Sequence, residues 1–336
     1  MSDYLALDIG GANIKVADGA SYVRSEPFAL WKHPENLAGT LARVIADGPD
    51  RPRIVATMTG ELADCYATKC EGVRAIVTAL LEAASGRPTS VYRTDGKFID
   101  ADAALEDPLP CAASNWHALA RWAGRFVPSG PAMLLDTGST TCDAIPLMDG
   151  RVVAKGSTDT ERLLAGELAY TGVTRTPVCA AVGALPYRGQ MCPVAAEWFA
   201  TTRDAYLWLD ELPEMPECTE TADGRPATKS AALDRLARCI CADRETFTEE
   251  DAIAAAQAVT QAQGATIGIA MRRAAAVLGA TPERVVISGQ GEFLARRVVH
   301  QLRWPAEVIS LSEQQGEKIS AAGAAHAVAI LAGETQ

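Results

Sequence analysis

The sequence contains no Cys-x-x-Cys pair, although it has nine cysteines. Their number is odd and many sit inside apolar segments, which disfavours both a disulfide framework and a zinc knuckle. Cys239-x-Cys241, with Cys218 upstream, has the wrong spacing for the usual zinc motifs and reads as reduced thiols. Long apolar runs are also missing: none reaches the ~20 residues that a membrane span needs. No secretory leader is expected, because MSDYLALDIG (1–10) is acidic and already strand-like. Nor is there a basic surplus. A formal net charge of −11 argues against a broad surface for nucleic acid or anionic membrane. An anionic substrate must then be met locally, by backbone amides, a few basic residues or a metal ion. The expected compartment is the cytoplasm.

What is present fits an ordinary globular chain: 336 residues, 48% hydrophobic and 22% charged, enough for two lobes. The stretch MLLDTGSTTCDAIPLMDG (133–150) reads as strand, tight bend, strand. A plain hairpin needs only a glycine-containing turn. This bend also gathers Asp136, Gly138, Ser139, Thr140 and Thr141, a surplus that suggests a ligand. LALDIGGANIKVADG (5–19) has the same plan. Aligned on the aspartates, Asp8 matches Asp136, Gly10 matches Gly138, and Lys15 falls opposite Asp143. One hairpin used twice suggests two related lobes.

Between and after the hairpins, strands alternate with helices, which sets the class as α/β. RIVATMTGE (53–61) looks like a strand running into a functional loop that ends at Glu61. Helices are expected over 72–86 and over 113–126, the second with Ser114 as N-cap. Residues 249–279 form a long Ala-rich helix or a pair broken near Gly264. A strand over 284–288 leads through Gly289-Gln290-Gly291 into a helix, and a small-residue helix over 320–331 closes the chain. The middle, 157–238, is irregular and polar, which suits loops that build a site.

Consecutive amides in a Gly-rich bend bind phosphate oxygens. Gly10, Gly11, Asn13, Gly138, Ser139, Thr140 and Thr141 supply two such bends. Phosphates travel with Mg²⁺, which prefers carboxylates and retained waters, so Asp8 and Asp136 are the expected metal ligands. Gly289 and Gly291, between strand and helix, offer a third anion-facing turn.

These hairpins, the Gly-x-Gly turn and the two helices together resemble the superfamily of actin, sugar kinases and heat-shock chaperone ATPases. That resemblance implies two ribonuclease-H-like lobes around a cleft, each expected around a five-stranded mixed sheet. The first lobe is expected over 1–130 with the helix 318–332. The second is expected over 131–317, with an insertion at about 157–238. Over nearly the whole chain, TMTGELAD (57–64), ASNWHAL (113–119), DTGSTT (136–141), GELAYTGVTRTPV (166–178) and TADGR (221–225) resemble the hydantoinase/oxoprolinase-related family. More narrowly, they are similar to its tetrahydromethanopterin-linked C1-transfer branch, which includes furanmethanamine synthases of methanofuran biosynthesis.

The resemblance implies a transferase that joins an aminomethyl-furanmethanol diphosphate to the phenol of a glutamyltyramine and releases diphosphate. Its alternatives are an ATP-dependent kinase or hydantoinase-like enzyme and a non-catalytic nucleotide sensor. The expected partners are a small diphosphate and a phenolic amine, with a homodimer left open. A phenol with pKa ~10 benefits from a general base, and Glu167, Asp159 and Glu61 are the candidates. Arg175 and Lys15 are expected on phosphate oxygens. Asn115, Tyr170, Thr171, Thr176, Asp223 and Arg225 complete the expected substrate contacts. Where ATP-using relatives have adjacent glycines, Gln290 intervenes here, which favours an organic diphosphate over ATP. His117 and Cys142 read as structural.

Overall fold

Two large mixed sheets carry the computed structural model, which describes residues 3–335. Strands β1 (Tyr4–Ile9), β2 (Asn13–Ala17), β3 (Val23–Pro27), β4 (Arg53–Met58), β5 (Thr89–Tyr92) and β6 (Phe98–Asp100) form the first. Their order is β3-β2-β1-β4-β5-β6. Next come β7 (Pro131–Thr137), β8 (Cys142–Met148), β9 (Arg151–Val152) and β10 (Leu168–Ala169). A separate hairpin of β11 (Ala184–Tyr187) and β12 (Gln190–Pro193) precedes β13 (Arg284–Ser288) and β14 (Glu307–Ser310). The second large sheet has the order β10-β8-β7-β13-β14, with β9 also paired to β8.

The two sheets repeat one plan. Each has an antiparallel hairpin whose first strand is central and pairs in parallel with later strands, β1 with β4 and β7 with β13. The bends match atom for atom: Gly10 N donates to Asn13 O (3.0 Å), and Gly138 N to Thr141 O (2.9 Å). The registers match as well, with Asp8 opposite Lys15 and Asp136 opposite Asp143. The chain is α/β, with one hairpin-led sheet plan used twice.

Continuous apolar runs such as YLALDI suit central strands covered on both faces, and all six of those residues are buried. Alternation sends Leu5, Leu7 and Ile9 to the outer face, against Leu41, Ile54, Ile76 and Leu80. Tyr4 and Ala6 face inward. They share one core with Trp116, Leu119, Ala132, Leu134, Val286, Val328 and Leu331. That shared core joins both sheets through the helices Asn115–Ala123 and Gly323–Glu334. Small residues allow the close approach: a Cβ on Gly323 would lie 2.9 Å from Leu119 Cδ1. Leu185, Leu207 and Leu236 of the insertion build a further core with Phe247 and with Ala252, Ala255 and Val259 of the helix Glu249–Ala275.

Four expectations need correction. Each large sheet has six strands, not five: residues 98–100 add β6 to the first, and β9 pairs with β8 in the second. Gly264 does not break its helix, which runs unbroken over Glu249–Ala275 from a capping box of Thr248 and Asp251. Instead, a Cβ there would come within 2.9 Å of Gln301 Oε1, so the glycine serves helix packing. Ser114 stands at the expected N-cap position, but its hydroxyl makes no cap and donates to Tyr92 O (2.9 Å). The closing helix begins at Gly323, and Ser320 lies in the short preceding helix Glu317–Ala321. No helix among the described residues is long and apolar enough to cross a membrane.

Candidate active site

Each bend is left with unspent donors. Among the described residues, the amides of Gly11 and Ala12 in the first bend have no acceptor in the protein. The same is true of Ser139 and Thr140 in the second. Such a run of free N–H groups is what an anion-binding concavity requires.

The first lobe delivers Glu61 beside its bend. Thr59 N and Gly60 N both donate to Ile9 O at 3.0 Å, which pins the loop after β4 to the end of β1. The helix Lys69–Ala84 locks the next residue, since a Cβ on Gly72 would stand 2.0 Å from Glu61 O. Thr57 Oγ1 meets Ser114 Oγ (2.8 Å), so β4 also holds the start of the Asn115–Ala123 helix. Just before it, Ala113 adopts φ +46°, a left-handed conformation that is costly outside glycine. Its amide is one of the groups that favour the ionised form of Glu61.

The second lobe organises its carboxylates around Arg162, which is buried in the helix Asp159–Ala165. Its guanidinium pairs with Asp143 and, at 3.0 Å, with Asp159. It also stacks 4.3 Å from the Trp116 ring, which belongs to the helix linking the lobes. Ser288 Oγ donates to Asp136 Oδ1 (2.5 Å) from the adjacent β13. Asp8 keeps one buried oxygen, Oδ1, with no partner, and Glu61 likewise keeps Oε2.

Burial and crowding push these acids up. Burial raises Asp8, opposed by Lys15 and reinforced by Asp143. It lifts Asp136 to about 6, with help from Asp143 and, more weakly, from Asp8. Burial takes Glu61 to about 7, with Asp159 adding to the rise. Since Asp136 feels both Lys15 and Asp8, the ends of the two hairpins share one electrostatic site. Asp8, Asp136, Asp143, Asp159 and Glu61 outnumber the cations that act on them, Lys15, Lys69 and Arg162. Among the described residues, no three His, Cys, Asp or Glu side chains stand close enough to hold a metal by themselves.

Other expected residues have different tasks. Glu167 Oε1 and Oε2 accept from the amides of Lys155 (2.6 Å) and Gly156 (2.9 Å). Its carboxylate is spent on folding that loop, and Glu61 is the acid left free. Thr171 and Thr176 pair their hydroxyls at 3.0 Å, and Gln263 Nε2 donates to Thr171, so they knit the 171–176 loop internally. Tyr170 is 67% exposed. Asn115 Oδ1 accepts from Trp116 N (2.7 Å).

Asp223 and Arg225 pair with each other and with Arg235, Arg238 and Asp234, all within the insertion. Their charges satisfy one another around the fully buried Arg235, which also holds Asp204. They are not brought to the bends. Gly289, at φ +87°, backs directly onto the second hairpin: a Cβ would meet Thr137 O at 2.4 Å and Asp136 Oδ1 at 2.8 Å. A Cβ on Gly291 would strike Thr137 and Val173. Close packing therefore explains both glycines. His117 and Cys142 are structural as expected. His117 Nδ1 meets Tyr92 Oη (2.9 Å), and burial lowers His117 to about 4. Cys142 is buried against Thr137, and burial drives its thiol upward.

Sequence reasoning missed Asp143, Arg162 and Ser288 as members of the site. Asp143 had a visible signal, its position opposite Lys15 in the repeat. Arg162 had only its spacing of three from Asp159, which any exposed helix shares.

The hydantoinase/oxoprolinase family pattern matches residues 53–331. A relative from Methanocaldococcus jannaschii named (4-{4-[2-(gamma-L-glutamylamino)ethyl]phenoxymethyl}furan-2-yl)methanamine synthase is 34% identical over 330 residues. That match covers 97% of this chain and 96% of the relative. A relative of the same name from Methanococcus vannielii is 32% identical over 201 residues, 59% of this chain and 89% of its own. Among solved structures, the inorganic polyphosphate/ATP-glucomannokinase from Arthrobacter sp. strain KM is similar at a TM-score of 0.45 and 14% identity, with 99% of each chain covered. The chain belongs to the hydantoinase/oxoprolinase family.

Proposed function

We propose that this chain is a transferase that joins a furfuryl-type carbon to a phenol oxygen. The donor is an aminomethyl-furanmethanol diphosphate and the acceptor a tyramine-type phenol. The C–O bond to diphosphate breaks with its electron pair leaving on the phosphate oxygen. The phenol oxygen forms the new C–O bond, its proton passes to a base, and the products are the aryl ether and diphosphate. The carrying observation is a pair of bends with unspent amides beside a buried acid, Glu61, raised to about 7. The names of the two relatives support the same reaction class.

The residues divide the work. Amides of Gly11, Ala12, Ser139 and Thr140, with Lys15, bind and orient the diphosphate. Glu61, ionised about half the time near pH 7, takes the phenol proton through its free Oε2. Arg162 holds Asp143 and Asp159 in place against Trp116.

The surplus of carboxylates would repel a diphosphate, so this site calls for a cation. The partnerless Asp8 Oδ1 and the raised Asp136 fit Mg²⁺ that retains waters. Bound there, it would supply Lewis-acid stabilisation of the departing diphosphate.

The direct test incubates the protein with Mg²⁺, a furfuryl-type diphosphate and a tyramine acceptor, then looks for the ether by mass. Ether and diphosphate in equal amounts support the reading. ATP turnover without ether formation would replace it with an ATP-dependent enzyme of the same fold.

A further inference from the structure

Two loops tied to the two bends meet each other. In the first lobe, Leu30 N donates to Gly11 O (2.9 Å), which anchors Trp31 next to the first bend. In the second, Thr174 N and Arg175 N both donate to Ser139 O (3.1 Å each), which anchors Arg175 next to the second. The Arg175 guanidinium carbon then lies 5.0 Å from the centroid of the Trp31 ring. One lobe supplies an indole and the other a cation, at corresponding places beside their bends.

Arg175 is exposed and, among the described residues, its side chain has no carboxylate partner. A guanidinium stacked on an aromatic ring engages its flat face and leaves its in-plane N–H donors available. Those donors match a carboxylate bidentately. A diphosphate offers nothing to the indole, whereas an aromatic acid engages both groups.

Resting on the transferase reading, we infer that Trp31 and Arg175 form the acceptor subsite and select a phenol that carries a carboxylate at its far end. The indole packs on the acceptor, and Arg175 pairs with the carboxylate. This moves Arg175 from the phosphate, where the sequence suggested it, to the second substrate.

The test compares tyramine with γ-glutamyltyramine, in binding by calorimetry and in turnover, for the wild type, Arg175→Gln and Trp31→Leu. Wild type should bind the glutamyl compound about 10- to 100-fold more tightly, the range expected for a charged hydrogen-bonded pair. Arg175→Gln should erase that preference and leave diphosphate binding unchanged. Trp31→Leu should weaken both acceptors. The inference is overturned if Arg175→Gln weakens diphosphate binding instead, if it lowers turnover equally with both acceptors, or if wild type binds the two alike. Binding selectivity without any ether product would sink the transferase reading while sustaining the subsite.

Discussion

Glu61, the base of the proposed reaction, is buried with its Oε2 unpartnered. A folded-state pKa of about 7 against an ordinary 4.5 means that the folded protein holds a proton which the unfolded chain releases between those values. Stability from this group is therefore complete below pH ~4.5 and is lost as pH rises through about 7, by an amount of order 3 kcal/mol. Glu61→Gln should melt higher than wild type at pH 8 and similarly at pH 5, as calorimetry would record. The same variant should lose ~10²- to 10⁴-fold in turnover, the usual contribution of a general base. Its deficit should shrink as the phenol ionises by itself near pH ~10, so a deficit constant across that pH range would remove Glu61 as base. Asp8→Asn and Asp136→Asn should each lower kcat by ~10² or more and change KM less, because charge stabilisation grows as the C–O bond breaks. Near-native turnover in both would make the paired aspartates scaffolding. At this scale the sequence was only partly legible. The repeat pointed to Asp8 and Asp136, but nothing local separated Glu61 from Glu167, whose oxygens close on the amides of residues 155 and 156.

In the proposed reaction the hairpin bends and the loops against them are the working elements, and two glycines divide their tasks. A Cβ on Gly11 would meet nothing within 4 Å, whereas one on Gly172 would lie 2.5 Å from the backbone of Ser139 and Thr140. Gly11→Ala should therefore keep the wild-type melting temperature yet weaken diphosphate binding, by placing a methyl group in the open bend. Gly172→Ala should cost about 1–3 kcal/mol in stability, as overpacking does. It should also cut turnover by roughly 10²-fold, the size that follows a 1 Å displacement. Melting curves with titrated diphosphate separate the two, and matching behaviour would contradict this account of the bends. Elements were far more legible than side chains. Asp-x-Gly bends between apolar runs announced both hairpins because turn chemistry is local. The insertion was opaque for the opposite reason. TADGR looked like a ligand loop, yet its charges answer Arg235, a partner visible only after folding.

Across the whole molecule, charge and shared core set the behaviour. With an overall formal charge of −11 and a surplus of acids at the bends, diphosphate alone should stabilise the protein little. Diphosphate with Mg²⁺ at 100 times its Kd should add about 2.7 kcal/mol. A thermal-shift series checks this, and equal shifts with and without Mg²⁺ would count against a metal at Asp8 and Asp136. The two-lobed plan was readable from the repeat. Their joining was not, since Tyr4, Trp116, Leu134 and Val328 are distant in sequence and meet only in the folded core. The helix Gly323–Glu334, which fills that junction, also has a temporal consequence. β1 is made long before this helix, yet its inner face waits for the helix to cover it. At ~5–20 residues per second of synthesis, that face stays uncovered for many seconds on every ribosome. Nascent chains halted before residue 323 should thus bind chaperones and protease, and emergence of the helix Gly323–Glu334 should end both at once.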